Sequence, residues 1–188
     1  MDTDLSGRTA LVSGGGRGNG RATVLELAEH GADVIVNDLD GDVAKSTAED
    51  ARERGVESVG VAANVSDQDE VEAMVAKGTD ELGDVDILVN NAGVGDSGSF
   101  TGDPEELRSR FELNLNVHLW GAINCTLECL DPMLEEGYGK VINITSIHTK
   151  NGVGMSPEYD VGKFSLLGLT KSLALELGRE GIRVNAVA

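Results

Sequence analysis

Tyr159 and Lys163 stand four residues apart in a stretch with helical patterning, which places them on one helix face. A phenol titrates near ~10 and is a poor base at neutral pH, but a neighbouring ammonium stabilises the phenolate and lowers that value. A tyrosine tuned in this way exchanges a proton with a substrate hydroxyl as hydride leaves the carbon. Ser146, just past an apolar run, is placed to hydrogen-bond a developing oxyanion or carbonyl. Alone, Tyr-x-x-x-Lys is common by chance, and a surface pair is the better reading of it.

A second group points to a nucleotide. Ser13-Gly14-Gly15-Gly16-Arg17-Gly18-Asn19-Gly20 follows an apolar run and opens a helix. Glycines let the backbone approach a pyrophosphate, and a helix N-terminus offers unpaired N–H groups to the anion. The strict G-x-G-x-x-G spacing is absent; Gly14, Gly18 and Gly20 give G-x-x-x-G-x-G, which also suits a bare strand-to-helix turn. Asp38 lies twenty residues after Gly18, where an acid accepts from the adenosine ribose hydroxyls and repels a 2′-phosphate. That favours NAD over NADP, although Arg17 pulls the other way. Asn64 and Val65 are placed to flank the adenine. In Asn90-Asn91-Ala92-Gly93, side-chain amides can pin backbone between strands, and small residues leave room for the cofactor.

The elements that must position these groups alternate regularly. Strands are expected at Thr9–Ser13, Asp33–Asn37, Val59–Asn64, Val85–Asn90, Lys140–Ile144 and Arg183–Val187. Most are nearly continuous apolar runs, as in parallel strands covered on both faces. Helices are expected over Arg21–His30, Val43–Arg54, Ser66–Leu82, Pro104–Leu130 and Glu158–Leu177. The third would open on Ser66, with Asp69 as a weak capping box. Strand–helix–strand units with right-handed crossovers build a doubly wound parallel sheet in a three-layer α/β/α arrangement, a Rossmann fold, with residues 1–188 as a single domain. Ligands then bind outside the carboxyl ends of the strands, where each polar cluster falls.

Together, the glycine turn, Asp38, Asn90–Gly93, and Ser146 thirteen residues before Tyr159-x-x-x-Lys163 resemble the short-chain dehydrogenase/reductase family over about Leu5 to Ala188. The resemblance implies that Tyr159 is the acid/base, that Ser146 orients the substrate, and that Lys163 holds the nicotinamide ribose and tunes Tyr159. Three departures stand out. Ser13 replaces the usual Thr but keeps the hydroxyl, and Asn19 replaces an apolar residue. The family's fourth catalytic residue, an Asn three residues before a Gly, is His118 here, counting back from Gly121. Asn116 points about 200° away round the helix. An imidazole donates and accepts, so His118 is expected either to hold the water of the proton relay or to be a satisfied buried histidine. Asn37-Asp38-Leu39, Asn64 and Val-His-Leu-x-Gly also resemble the 3-hydroxyacyl-CoA dehydrogenase units of multifunctional β-oxidation proteins. His148 reads as a loop surface position that could line the substrate pocket.

Composition narrows the partners. With 33 Asp and Glu against 15 Lys and Arg, the net charge is -18, a surface that repels nucleic acid and anionic membranes. The acids are dispersed through helix-like stretches, which suits a halophilic cytoplasm. No stretch reaches the ~20 apolar residues of a membrane span, and Met1–Gly7 has no secretory apolar core. Cys125 and Cys129 lack the partners of a metal site and read as packed, reduced thiols. The expected partner is a small alcohol or ketone, and a homodimer or homotetramer is expected through the helices holding Leu115–Leu130 and Leu166–Leu177. The sequence stops at Ala188, short of the seventh strand and substrate lid usual in the family, so truncation is expected. The competing reading is a catalytically idle nucleotide-binding or partner domain.

Overall fold

A computed structural model of the chain describes residues 4–95 and 98–188. The expected lack of a secretory core rests partly on residues 1–3, which lie outside the described residues. Six strands form one sheet: β1 (Thr9–Val12), β2 (Asp33–Asp38), β3 (Ser58–Ala62), β4 (Ile87–Asn90), β5 (Gly139–Ile144) and β6 (Ile182–Val187). Their order is β3-β2-β1-β4-β5-β6, and every pairing is parallel. This is the doubly wound Rossmann arrangement, and the order reverses between β1 and β4, where a crevice opens.

Helices α1 (Gly18–Glu29) and α2 (Gly41–Arg52) cover one face through Val24, Ala28, Ala44, Ala48 and Ala51. On the other face, α3 (Gln68–Leu82), α5 (Gly121–Glu136) and α6 (Pro157–Leu177) pack on Leu11, Ile35, Leu88 and Val141. Alanine dominates one interface and aliphatics the other, which is how a chain with 3% aromatics still fills two core layers. Cys125 and Cys129 are free and buried in the second layer, where desolvation pushes the Cys125 thiol up to about 12. Among the described residues no group of His, Cys, Asp and Glu is arranged to hold a metal, and no helix is long and apolar enough to cross a membrane.

Most element ends differ from expectation by one to three residues, as with β3, which ends at Ala62 rather than Asn64, and α1, which starts at Gly18 rather than Arg21. Two differences have a clear physical reason or bear on the site. The third helix starts at Gln68, not Ser66, because Asp67 caps it by accepting from the Asp69 and Glu70 N–H groups. The long central helix is not one α-helix ending at Leu130. It comprises α4 (Pro104–Leu115), a π turn (Asn116–Trp120) and α5, which runs through Pro132 to Glu136. Single π turns often mark functional sites, and this one carries His118.

Candidate active site

The turn after β1 is fitted closely to its neighbours. Gly14 has φ 61°, and a Cβ on Gly20 would lie 2.0 Å from the Gly14 carbonyl oxygen. Only glycines allow α1 to start so near β1. Helices α2, α3 and α4 each begin with an aspartate that accepts from the first-turn N–H groups. Helix α1 follows Arg17, which makes no side-chain cap. Its free N–H groups and positive dipole end therefore face the crevice, ready for an anion.

Ser13 is the hinge between this turn and the strand beside it. Its hydroxyl oxygen accepts from the Asn91 and Ala92 N–H groups at 3.0 and 3.1 Å. In return the Asn91 amide donates to the Ser13 and Gly14 carbonyls at 3.0 and 2.9 Å. Asn90 points the other way and donates to Asn143 Oδ1 at 2.9 Å, and Asn143 donates to Thr170 on α6 at 2.8 Å. Adjacent amides thus lock β1 to β4, and β4 through β5 to α6.

Asp38, at the end of β2, is 8% exposed. One carboxylate oxygen accepts from the Gly16 N–H and the other from the Asp40 N–H, both at 3.2 Å. Arg17 lies 3.8 Å from Asp38 and 3.6 Å from Asp40, so one exposed guanidinium faces two acids. Asn64 is exposed, with its amide oxygen taken by the Ser66 N–H. Val65 is buried against Gly121, and Asn19 is exposed.

Tyr159 and Lys163 lie on α6, one turn apart. Lys163 Nζ donates to the Ile144 carbonyl at 2.8 Å and sits 6.0 Å from the Tyr159 ring centroid. Burial draws its ammonium down to about 8. His118 is 1% exposed and packs edge-on to Tyr159, ring centroids 5.5 Å apart. Its Nε2 accepts from the Val94 N–H at 3.1 Å, so in the neutral ring the hydrogen sits on Nδ1, a buried atom with no partner among the described residues. Desolvation, then the Lys163 charge, pushes His118 down to about 3, so it is neutral at physiological pH. Ser146 heads a short 3-10 turn (Ile147–Thr149), and its Oγ accepts from the His148 N–H at 3.2 Å. His148 is held at 2.7 Å by Asp160 and stacks edge-on to Tyr159, so it is not the plain surface residue expected.

One crevice of about 550 Å³ joins these parts, lined at one end by Gly14, Arg17 and Asp38 and at the other by His118, Tyr159 and Lys163. Asn19, Gly20, Asn64, Val65, Asn91, Ala92 and Gly93 also line it; Ser13, Gly18 and Ser146 do not.

Comparison with known proteins decides the family. Residues 8–188 match the family model described as short chain dehydrogenase. The chain belongs to the short-chain dehydrogenase family. It is 36% identical over 184 residues to a subunit of a (2S)-((R)-hydroxy(phenyl)methyl)succinyl-CoA dehydrogenase of Thauera aromatica, covering 98% of this chain and 73% of that one. A 3-oxoacyl-acyl-carrier-protein reductase of Staphylococcus aureus is 37% identical over 185 residues, with 96% and 73% covered. Among solved structures, an NAD+-bound xylitol dehydrogenase superposes with a TM-score of 0.91 at 28% identity, over 98% of this chain and 70% of that one. The chain is thus an oxidoreductase of the short-chain dehydrogenase type, acting on CH–OH donors.

Four residues that support this short-chain dehydrogenase site or its surroundings were not singled out from the sequence. They are Asn143 and Asp160, and the pair Arg110 and Glu158, buried together with 2.9 Å between Arg110 Nε and Glu158 Oε1. A polar residue in an apolar strand run was the only available signal, and it marked Asn143.

Proposed function

We propose that this protein interconverts a secondary alcohol and a ketone with NAD, on a 3-hydroxyacyl or 3-oxoacyl thioester. The observation that carries the reading is the single crevice that puts Asp38 and the uncapped α1 at one end and Tyr159 with Lys163 at the other. The residues fit a nicotinamide dinucleotide. The bare helix end suits the pyrophosphate, and Asp38 has lone pairs left for two ribose hydroxyls. Asp38 and Asp40 outnumber Arg17, so local charge opposes a 2′-phosphate, and an NAD+-bound protein stands among the structural neighbours. The thioester class is supported by the names of the two relatives, a CoA ester dehydrogenase and an acyl-carrier-protein ester reductase.

When bound, the nicotinamide supplies the hydride acceptor. The chain's own groups do the rest. Ser146 donates to the substrate oxygen and fixes its distance from Tyr159. Tyr159, as phenolate, takes the hydroxyl proton while the C–H electron pair departs, and returns it in reduction. Lys163 places positive charge beside the phenolate and holds the nicotinamide ribose. His118 is a hydrogen-bonding group whose Nε2 accepts from the Val94 N–H and whose Nδ1 is packed against Gly162, so a relay role would need the ring to turn or the Val94 contact to be exchanged for water. It does not ionise in the working range.

Assembly through the long helices fits the exposed apolar residues at seven-residue intervals along α4, the π turn and α5: Leu113, Trp120, Leu127 and Leu134. Phe164 and Leu175 on α6 are also exposed. We place the protein in a salt-rich cytoplasm as a homo-oligomer, on its charge of -18 and these faces.

The test is NADH binding by fluorescence, followed by turnover over 3-hydroxyacyl-CoA esters and simple secondary alcohols. Saturable NADH binding, weaker NADPH binding and turnover lost in Tyr159→Phe are expected. Binding without turnover on any substrate would leave the idle nucleotide-binding domain, and no binding would reject both readings.

A further inference from the structure

The segment from Thr145 to Ser156 carries Ser146 at its start and delivers the chain to α6 just before Tyr159. Its middle is loosely built. Val153 and Met155 are exposed, Gly152 and Gly154 flank Val153, and Met155 takes φ 70°, a left-handed conformation unusual for a side chain of its size. Local backbone alone does not explain how such a segment presents a serine hydroxyl in one direction.

The fixing contacts come from Asp160. One of its carboxylate oxygens accepts from His148 Nδ1 at 2.7 Å, and the other accepts from the Val153 N–H at 2.8 Å. The carboxylate is an acceptor only, so Nδ1 carries the hydrogen. Both side chains are shielded, at 22% and 13% exposure, and the imidazole stands on Tyr159 with centroids 5.2 Å apart at 77°. The backbone of His148 completes the connection, because its N–H donates to Ser146 Oγ at 3.2 Å. The Thr149 N–H and hydroxyl both donate to the Ser146 carbonyl, at 2.9 and 2.6 Å. A serine oxygen that accepts from the main chain on one side has its own O–H free to donate on the other.

We propose that His148 and Asp160 are positioning residues, an imidazole–carboxylate brace that ties the serine turn to the helix of the tyrosine and so aims the Ser146 hydroxyl. The inference rests on the roles proposed above for Ser146 and Tyr159. Neither brace residue lines the nucleotide crevice. A displacement of ~1 Å at a reacting group costs on the order of 100-fold in rate, so a loosened turn is felt in chemistry before it is felt in binding.

The experiment compares the full chain with His148→Ala, Asp160→Ala and His148→Asn, whose amide N–H stands in for Nδ1–H. Three quantities are read: kcat and KM with the best substrate, Kd for NADH, and amide exchange at residues 146–156. In both alanine variants kcat is expected to fall about 10- to 100-fold with NADH affinity unchanged, and exchange at His148 and Val153 to accelerate. His148→Asn is expected to recover much of kcat. An unchanged kcat, or a loss matched by an equal loss of NADH binding, would overturn the proposal. Should the parent chain bind NADH but turn over nothing, the functional reading fails, and exchange alone decides the brace: acceleration supports it and unchanged protection overturns it.

Discussion

Gly162 on α6 opposes His118 in the π turn so closely that a Cβ built on the glycine would lie 2.5 Å from His118 Nδ1. The ring is wedged between that glycine and Gly93, where a Cβ would meet Nε2 at 3.0 Å. Gly162→Ala therefore forces the imidazole or α6 to move. Overpacking of this kind costs about 1–3 kcal/mol, read as a lower denaturant midpoint with unchanged m. Asn is shorter than His, so His118→Asn in the same chain is expected to recover most of that loss. A coupling energy near zero in the double-mutant cycle would show that the two residues do not share this space.

The same ring makes the fold acid-sensitive. Burial lowers His118 from 6.5 to about 3, so the unfolded chain takes up a proton across that window while the folded chain does not. Its contribution to stability is complete above about 6.5 and drains away towards pH 3, at up to about 1.4 kcal/mol per pH unit. Unfolding curves of the parent chain and His118→Asn should diverge in slope over this range. Parallel curves would mean that the imidazole is charged in the native state.

For Lys163 the window lies on the alkaline side. The folded ammonium loses its proton at about 8, the unfolded one only near 10.5. Below pH 8 the folded chain bears the cost of a buried charge, and between 8 and 10.5 that cost is relieved, so stability rises with pH relative to Lys163→Met. Nucleotide-free protein is needed for the measurement, since a bound ribose would change the surroundings of Nζ. Absence of the relative rise would place the ammonium in solvent.

Asp38 and Arg17 set a cofactor contrast. Asp38→Ser removes the acid proposed to face the ribose and leaves Arg17 with Asp40 alone. Affinity for NADPH relative to NADH is expected to rise by about tenfold or more, as removing ~1.4 kcal/mol of charge repulsion would do. Paired fluorescence titrations give the ratio directly, and an unmoved ratio would take Asp38 out of the discrimination.

The charge of -18 makes a prediction for salt. Raising KCl from 0.1 to 1 M shortens the screening length from about 10 to 3 Å, which relieves repulsion among surface acids. Tm should climb, by about 2–4 °C for each kcal/mol gained. A flat or falling Tm would deny adaptation to a salt-rich interior.

The sheet was legible because buried parallel strands write continuous apolar runs, and Thr9, Asp33 and Ile144 fall at observed strand ends. The crevice was legible because glycines and acids at strand ends have few other uses. The break in the central helix was not. Nothing in Asn116-Val117-His118-Leu119-Trp120 announces a π turn, since an inserted residue changes the phase of a helix without changing its composition. His148 and Asp160 were obscured for a different reason. They lie twelve residues apart on two elements, and only the folded chain shows that one oxygen stands 2.7 Å from the other's nitrogen.

Helix α1 is the one helix of the first four whose opening turn has no aspartate to complete it. In the function proposed above, a dinucleotide seated there supplies that cap. Because it would bind the folded chain and not the unfolded one, each tenfold excess of nucleotide over Kd would add about 1.4 kcal/mol to stability. In a cell that keeps its nicotinamide pool filled, the empty crevice would be a brief state, and scarcity of nucleotide would shorten the life of the protein as well as slow its reaction.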